Sequence, residues 1–460
     1  MADKTDINST EKLLNTIRGT KQVAGGGDAG DAPLLFPQKA PFPPQDKKLL
    51  ARFFPDKKNY TIGVDIGQEF IYLAKTVKSS NGNPVLLDQK ILKYDGKTPP
   101  GSPEFNAFLK ASLLSICGNP ANCNIWTLIP AAEVNINHLK IPPVPKKQLE
   151  NAIYWAAKKE ASFDEKDFIF DFEIQEDVID QGIPKHSVLV YSAPKVQIEK
   201  TKALFSNIGI TTAGITIAPF AIQNIFRTRW LPVNEGTAAT LFVGNEFSRI
   251  DIYNKGNLVL TRGIKTGVSS MMEAISESFA NRNNPAVLGR ADHEKILRSL
   301  DGGTDKLSEN DAGFGLSEQE IFGMIAPAVE RLVRQIERTL EYYANSGSHE
   351  KVEKIYISSV LNIYRRLSAY IGEQLGIKIE IMDPFRYQMN NRVIESISSE
   401  DRVSLTVALG LSFSDNRNTP NAVFTYKEKN REVAVKRINH AVMGAFAAAL
   451  IICITALAYQ

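Results

Sequence analysis

From Tyr60 to Leu92 the chain passes through three apolar-rich stretches broken by turn residues: YTIGVDIG, then FIYLAKTV, and, after SSNGNP, VLLDQKIL. Aromatic and β-branched residues bounded by Gly, Asn and Pro predict strands, so the opening reads as a β-meander. A helix is predicted near Glu104 to Leu114, followed by a strand IWTLIP and the stretch VNINHLKIP. Apolar residues at helical spacing then predict an amphipathic helix from Lys146 to Lys159. Strands FIFDFEIQ and VLVYSAP and a helix from Lys195 to Asn207 follow. Alternating strands and helices of this kind belong to α/β and α+β folds.

The opening pattern then repeats. After LPVNEG comes TAATLFVGNEFSRIDIYNKGNLVLTRGI, again strand, glycine turn, strand, tight NKG turn and strand. Asp65-Ile66-Gly67-Gln68-Glu69-Phe70 aligns with Phe242-Val243-Gly244-Asn245-Glu246-Phe247, matching the glycine, the Glu-Phe pair and the strand lengths. Two related lobes are implied. Residues 281–317 read as a partly helical, polar excursion, followed by a helix from Ala328 to Tyr343 with Leu332, Ile336 and Leu340 on one face. A strand KIYISS, a helix from Leu361 to Leu375, a strand IKIEIMDPF and a last helix SLTVALGLSF complete the second lobe.

Both ends of the chain differ from this pattern. Residues 1–57 contain GGGDAGDAP and FPQKAPFPP without sustained periodicity and are expected to be a flexible tail. Residues 441–459, AVMGAFAAALIICITALAY, carry no charge. As a helix they would reach about 28 Å, close to the thickness of a bilayer's hydrocarbon core. A buried core helix usually keeps a polar stripe and this run has none, so a transmembrane helix is expected. Lys427, Lys429, Arg431, Lys436 and Arg437 precede it against only Glu428 and Glu432, which places that flank in the cytoplasm. The N-terminus shows no apolar core after a basic start, so no signal peptide is expected.

Charge and cysteine usage narrow the function classes. The 460 residues hold 54 basic against 51 acidic side chains, too balanced for a nucleic-acid partner drawn in by counterion release. Cys117, Cys123 and Cys453 do not form the framework of a secreted disulfide-rich protein, and neither they nor the five histidines show metal-site spacing.

Candidate chemistry sits at the strand-end triplet Asp65-Ile66-Gly67. The glycine would let backbone N–H groups approach phosphate, and the carboxylate could hold the water shell of a magnesium ion. Asp65 reads equally as a turn residue kept for the fold.

The chain from about Tyr60 to Phe413 resembles the PilM family of type IV pilus assembly proteins and, more distantly, FtsA and the cytoplasmic domain of GspL. The resemblance rests on GVDIG, LKIPPVPKKQLENAIYWAAKKEASF, VLVYSAPKVQIEKTKALFSNIGI, ITIAPFAIQNIF, KGNLVLTRGIKTG, LGIKIEIMDPF and ALGLSFS, in that order. It implies a two-lobed actin-like fold, the duplicated ribonuclease H-like α/β type. The lobes would span residues 58–232 and 233–415, with an FtsA/PilM-type subdomain inserted at about 124–192. A basic linker at 416–440 would lead to the transmembrane helix at 441–459.

The resemblance also implies ATP and magnesium as cofactors the fold could take, with Asp65, Gly67, Gly244, Gly267, Ser358 and Ser359 at the nucleotide elements and Asp65 at the metal. Here the chain departs from the family pattern. Phe242 stands where the second hairpin would begin with an acidic residue, Thr266-Gly267-Val268 replaces a glycine pair, and Ser358-Ser359 replaces another. Losing a metal carboxylate and phosphate-loop glycines removes most of what phosphoryl transfer needs, so the expectation leans away from an ATPase and toward a scaffold. An active ATP-hydrolysing regulator and an FtsA-like division anchor are the alternatives.

Implied partners are PilN/PilO-like inner-membrane proteins and a cytoplasmic pilus motor, at the cytoplasmic face of the bacterial inner membrane, in a type IV pilus or related type II secretion system. In the family the PilM cleft takes an extended segment of PilN. Here Asn418, Pro420, Asn421, Val423, Phe424 and Tyr426 lie in a stretch similar to such a tail, which reads equally as a plain linker.

Overall fold

The computed structural model describes residues 60–459 except 97, 162, 181, 233–235, 282–287, 302–305, 346–350, 362–364 and 389–390. Within the last helix the side chains of 436, 437, 440, 441, 445–447, 450, 456 and 458 are also outside the description. The N-terminal tail expected at 1–57 lies outside the described residues.

The predicted meander forms β1 (Tyr60–Ile66), β2 (Phe70–Lys78) and β3 (Pro84–Lys93), each antiparallel to the next. Helix α1 (Pro103–Cys117) starts where Ser102 Oγ accepts from Phe105 N and proline takes the first turn. Its buried Phe105, Leu109, Leu113 and Ile116 pack on Ile62, Val64, Ile71 and Leu73 of the sheet. Strand β4 (Cys123–Leu128) then pairs parallel to β1. Its residues from Asn124 onward, assigned by the sequence to the insertion, therefore sit in the first sheet. The insertion follows as β5 (Asn135–Ile141), helix α2 (Lys146–Glu160), β6 (Phe168–Asp180) and β7 (Ile183–Pro194), a separate sheet of order β5-β7-β6. Its core is Leu139, Ile153, Ala157, Phe163, Phe170, Val188 and Val190. Helix α3 (Lys195–Ser206), strand β8 (Thr212–Thr216) and helix α4 (Ala218–Arg227) return the chain to the first sheet, whose order is β3-β2-β1-β4-β8.

The second lobe repeats this plan with β9 (Thr237–Val243), β10 (Ser248–Asn254) and β11 (Asn257–Ile264), then helices α5 (Val268–Ala280), α6 (Arg290–Arg298) and α7 (Glu318–Tyr343). Strand β12 (Val352–Ser359), helix α8 (Arg365–Leu375) and strand β13 (Lys378–Ile381) complete the order β11-β10-β9-β12-β13. In both sheets two antiparallel pairings are followed by two parallel ones, so the duplication read from one short match extends to the whole topology. This is the actin-like α/β fold that the resemblance implied.

One stretch differs from expectation. Helix α7 begins at Glu318, not Ala328, because Ser317 and Glu320 form a capping box and Ile321, Phe322 and Ile325 carry the apolar face past Pro327. Within the polar excursion, α6 buries His293, Ile296 and Leu297, the two aliphatic side chains in the second-lobe core.

Short helices α9 (Arg392–Glu395), α10 (Ser399–Ser404) and α11 (Thr406–Ser412) lead back to the first lobe. Gly410 permits α11 to cross α4 closely, since a Cβ there would meet Ala221 O at 2.1 Å. From Tyr426 onward the expected basic linker at 416–440 is instead the start of one 34-residue helix, α12 (Tyr426–Tyr459). Among the described residues no helix is long and apolar enough to cross a membrane; the expected span at 441–459 lies partly outside them.

Candidate functional site

Asp65 is the penultimate residue of β1, and the turn after the strand closes with Gly67 N donating to Phe70 O at 2.9 Å. The corresponding turn after β9 closes with Gly244 N to Phe247 O at 3.0 Å. The aligned glycines therefore occupy equivalent turns, one in each lobe. The turns also touch: Asn245 Nδ2 donates to Gln68 Oε1 at 2.9 Å. Sequence alignment paired these two residues without indicating that they meet.

Asp65 is half-buried, and burial pushes its carboxyl up to about 6, against the opposing pull of the Arg249 guanidinium. Arg249 comes from β10. Its Nε donates to both carboxylate oxygens of Asp251, at 3.1 and 2.9 Å, and its guanidinium stands 5.7 Å from the centre of the Phe242 ring. Asp251 is fully buried and also accepts from Thr261 Oγ1 at 2.6 Å. Position 242, where the resemblance implied an acidic residue, thus presents an aromatic face with a fixed cation against it. Sequence reasoning missed Arg249 and Asp251; two opposite charges at i and i+2 within an otherwise apolar strand were the available signal.

Helix α5 begins beside the second turn. Val268 N donates to Gly244 O and Ser269 N to Asn245 O, both at 2.9 Å. Gly267 is required here because a Cβ would meet Asn245 O at 2.2 Å and Gly244 O at 2.6 Å. Ser269 Oγ donates to Glu246 Oε1 at 2.7 Å, so the exposed Glu246 sets a carboxylate at the helix's positive end. Ser358 and Ser359 end β12 in register with Phe242 and Val243. Ser359 is buried, and its Oγ accepts from Leu361 N at 3.4 Å. Asp65, Gly67, Gly244, Gly267, Ser358 and Ser359 thus lie at the carboxyl ends of β1, β9 and β12 and the start of α5. Among the described residues no group of three or more His, Cys, Asp or Glu is placed to hold a metal ion.

With this topology established, residues 129–416 match the family model of type IV pilus assembly protein PilM. The chain belongs to the PilM family. The solved PilM–PilN type IV pilus biogenesis complex is similar over 78% of this chain and 99% of that one, at 19% identity and TM-score 0.56, a likeness of fold. MreB 5 of Spiroplasma citri bound to AMPPNP matches over 83% of this chain and 99% of its own at 12% identity and TM-score 0.41. The cytoplasmic domain of EpsL, an inner-membrane component of the Vibrio cholerae type II secretion system, matches over 58% and 94% at 11% identity and TM-score 0.30.

A second constellation in this PilM-family fold is formed by the segment after α11. It is docked between the first sheet and the insertion. Asn421 is fully buried; its Oδ1 accepts from Ile215 N at 3.1 Å and Val423 N at 3.0 Å, while its Nδ2 donates to Ala213 O at 3.2 Å. Ala422 N donates to Ile215 O at 2.8 Å. One side chain and one amide therefore pair with the exposed edge of β8, as an added strand would. The stretch is not extended throughout, since Phe424 N turns back to Asn421 O at 3.2 Å. Pro420 and Ala422 line a small apolar hollow together with Ile129, Val134, Tyr191 and Phe220, and Thr419 Oγ1 donates to Asn224 Oδ1 at 3.1 Å. Asn418 is exposed, with its carbonyl held by Arg227 at 2.7 Å.

The segment ends on the insertion. Tyr426 N donates to Asp171 Oδ1 at 3.0 Å, and its ring lies 5.2 Å from that of Phe172 and 6.1 Å from that of Phe170. Asp171 is almost wholly buried and also accepts from Tyr191 OH at 2.8 Å; burial raises its carboxyl above the usual range although Lys429 opposes this. Beside the docked segment a cavity of about 670 Å³ is lined by Lys78, Glu173, Arg227, Asp415 and Arg417.

Proposed function

We propose that this PilM-family chain is a membrane-anchored scaffold of a type IV pilus or related secretion machine that works through protein contacts without nucleotide chemistry. The observation that carries the reading is the donation of the first α5 amides to the carbonyls of Gly244 and Asn245. A helix start binds phosphate through free N–H groups, and here those groups are already bonded within the protein. Magnesium is disfavoured by the same site. Phe242 offers no oxygen, and the fixed Arg249 cation beside Asp65 repels a second positive charge. The residues present therefore do not fit a magnesium–nucleotide group.

The anchor is assigned to the second half of α12. Its described side chains Val442, Met443, Ile451, Ile452, Ile454 and Leu457 are all exposed, an apolar surface that in water would have to be covered. With the span at 441–459, the basic start of α12 and the actin-like domain face the cytoplasm. PilN/PilO-like inner-membrane proteins are the partners this reading implies. The docked 418–426 segment occupies a groove that would suit a partner's extended tail, so the chain supplies such a segment to itself and raises its local concentration by tethering.

The test is co-isolation of the full-length chain with a PilN-like protein from membranes, with ATP present and after its enzymatic depletion. Equal recovery supports a nucleotide-independent scaffold. Recovery that disappears on depletion overturns it.

A further inference from the structure

Helix α12 is strapped to the insertion before it reaches its apolar half. Lys427 Nζ lies 3.2 Å from Glu165, Lys429 Nζ 3.7 Å from Asp171, and Asn430 Nδ2 donates to both oxygens of Glu150 at 3.0 and 2.8 Å. Glu150 belongs to α2. From Asn430 the helix rises only about 9 Å to Lys436, the first of the basic pair that marks the membrane boundary in the proposed topology. The headgroup layer itself is about 5–7 Å deep on each side, so α2 is held within reach of it.

The two faces of α2 differ in chemistry. Ile153 and Ala157 are buried in the insertion core. On the outer side, Lys147, Lys158, Lys159 and Trp155 fall within roughly 120° of arc at 3.6 residues per turn, and no carboxylate shares that arc. All four are exposed, Trp155 to 64%. Lys158 Nζ sits 5.8 Å from the Trp155 ring and 5.7 Å from that of Tyr154. An exposed indole among lysines, next to a helix leading to a membrane, has the composition of an interfacial anchor.

We propose that the outer face of α2 rests on anionic lipid headgroups beside the span, with Trp155 at the level of the glycerol backbone and Lys147, Lys158 and Lys159 paired with phosphates. This rests on the membrane-anchored reading of α12. The contact fixes the tilt of the actin-like domain, which the single helix alone would leave free to rotate.

Trp126 and Trp230 are 1% and 5% exposed, so Trp155 is the tryptophan that lipid can reach. The experiment reconstitutes the full-length chain into vesicles of phosphatidylcholine alone or mixed with phosphatidylglycerol, each brominated high on the acyl chain. The expected result is quenching of about a third of the tryptophan emission in the anionic vesicles, the share of one of the three tryptophans. It should be absent in Trp155→Phe, and reduced in K158E/K159E and in high salt. Equal emission in neutral and anionic vesicles overturns the proposal, as does Trp155 quenching that appears only when a PilN-like protein is added. An alkaline wash of the same vesicles separates the two readings. A chain that resists extraction with Trp155 unquenched keeps the span and loses the α2 contact, whereas an extracted chain loses the span.

Discussion

Asn245 and Gln68, one at each hairpin tip, are joined by a side-chain hydrogen bond of 2.9 Å across the cleft between the lobes. In an actin-like fold these tips are the elements expected to close on phosphates from opposite sides. Here they close on each other. Cysteines at both positions are therefore expected to be bridged by a short bifunctional thiol reagent at the same rate with and without magnesium and ATP. Bridging that ATP slows would show that nucleotide separates the tips. The native Cys117 and Cys123 are buried, and the exposed Cys453 is changed to serine in the same variant.

Asp65 has a carboxyl raised to about 6 from an ordinary 3.8, mainly by burial. The folded protein holds this proton more tightly than the unfolded chain does. The group therefore favours folding increasingly as pH falls through 6 toward 4, and it opposes folding at neutral pH. Asp65→Asn removes the charge without changing shape and is expected to stabilise the protein by up to about 3 kcal/mol at pH 7 and by little near pH 4. Chemical denaturation at both values checks this. A loss of stability at pH 7 would mean that the carboxylate makes a favourable interaction there.

Asn421→Ala leaves Ile215 N and Ala213 O inside the protein without their partner. The expected cost is about 3 kcal/mol, concentrated in the docked segment. Limited proteolysis should cut near Phe424 slowly in the native chain and rapidly in the variant. Rapid cutting of the native chain would show that the segment is a plain linker.

Asp171→Ala removes the acceptor of both Tyr426 N and Tyr191 OH. Helix α12 is expected to fray at its first turn, by about 1–3 kcal/mol on local hydrogen exchange of residues 426–430. The hairpin tips should be unaffected, and protection lost across both lobes would instead make Asp171 part of the global core.

The parts of this fold legible in the sequence were those with a period or a turn signal. The two meanders, the glycines at 67 and 244, and helices such as Lys146–Glu160 follow from alternation, helical spacing and Gly-rich turns. The charged pair Arg249 and Asp251 was missed because ion pairs on a strand look like ordinary surface polarity until burial is known. The N-terminal turns of α7 were missed because Pro327 breaks the local pattern, whereas tertiary packing of Ile321 and Ile325 holds the helix through it. The contacts of Gln68 with Asn245 and of Asn421 with Ile215 join residues far apart in sequence, and no local pattern encodes them. The departure at Phe242 stands out only against the family pattern that the resemblance implies, in which the second hairpin would begin with an acidic residue.

Phe242→Asp introduces a carboxylate at the second hairpin but leaves the first amides of α5 bonded to Gly244 and Asn245. This single change is therefore expected to pair with Arg249 and to confer no nucleotide affinity. Fluorescent-nucleotide titration of the variant checks it, and saturable magnesium-dependent binding would show that residue 242 alone blocks the site.

The most direct measurement is isothermal titration of magnesium-ATP into the full-length chain in nanodiscs, followed by phosphate release under the same conditions. A scaffold whose phosphate elements are bonded to one another should give no saturable heat up to millimolar ATP and no release above background. Micromolar binding with turnover would contradict the account and make the chain an ATPase of the same fold.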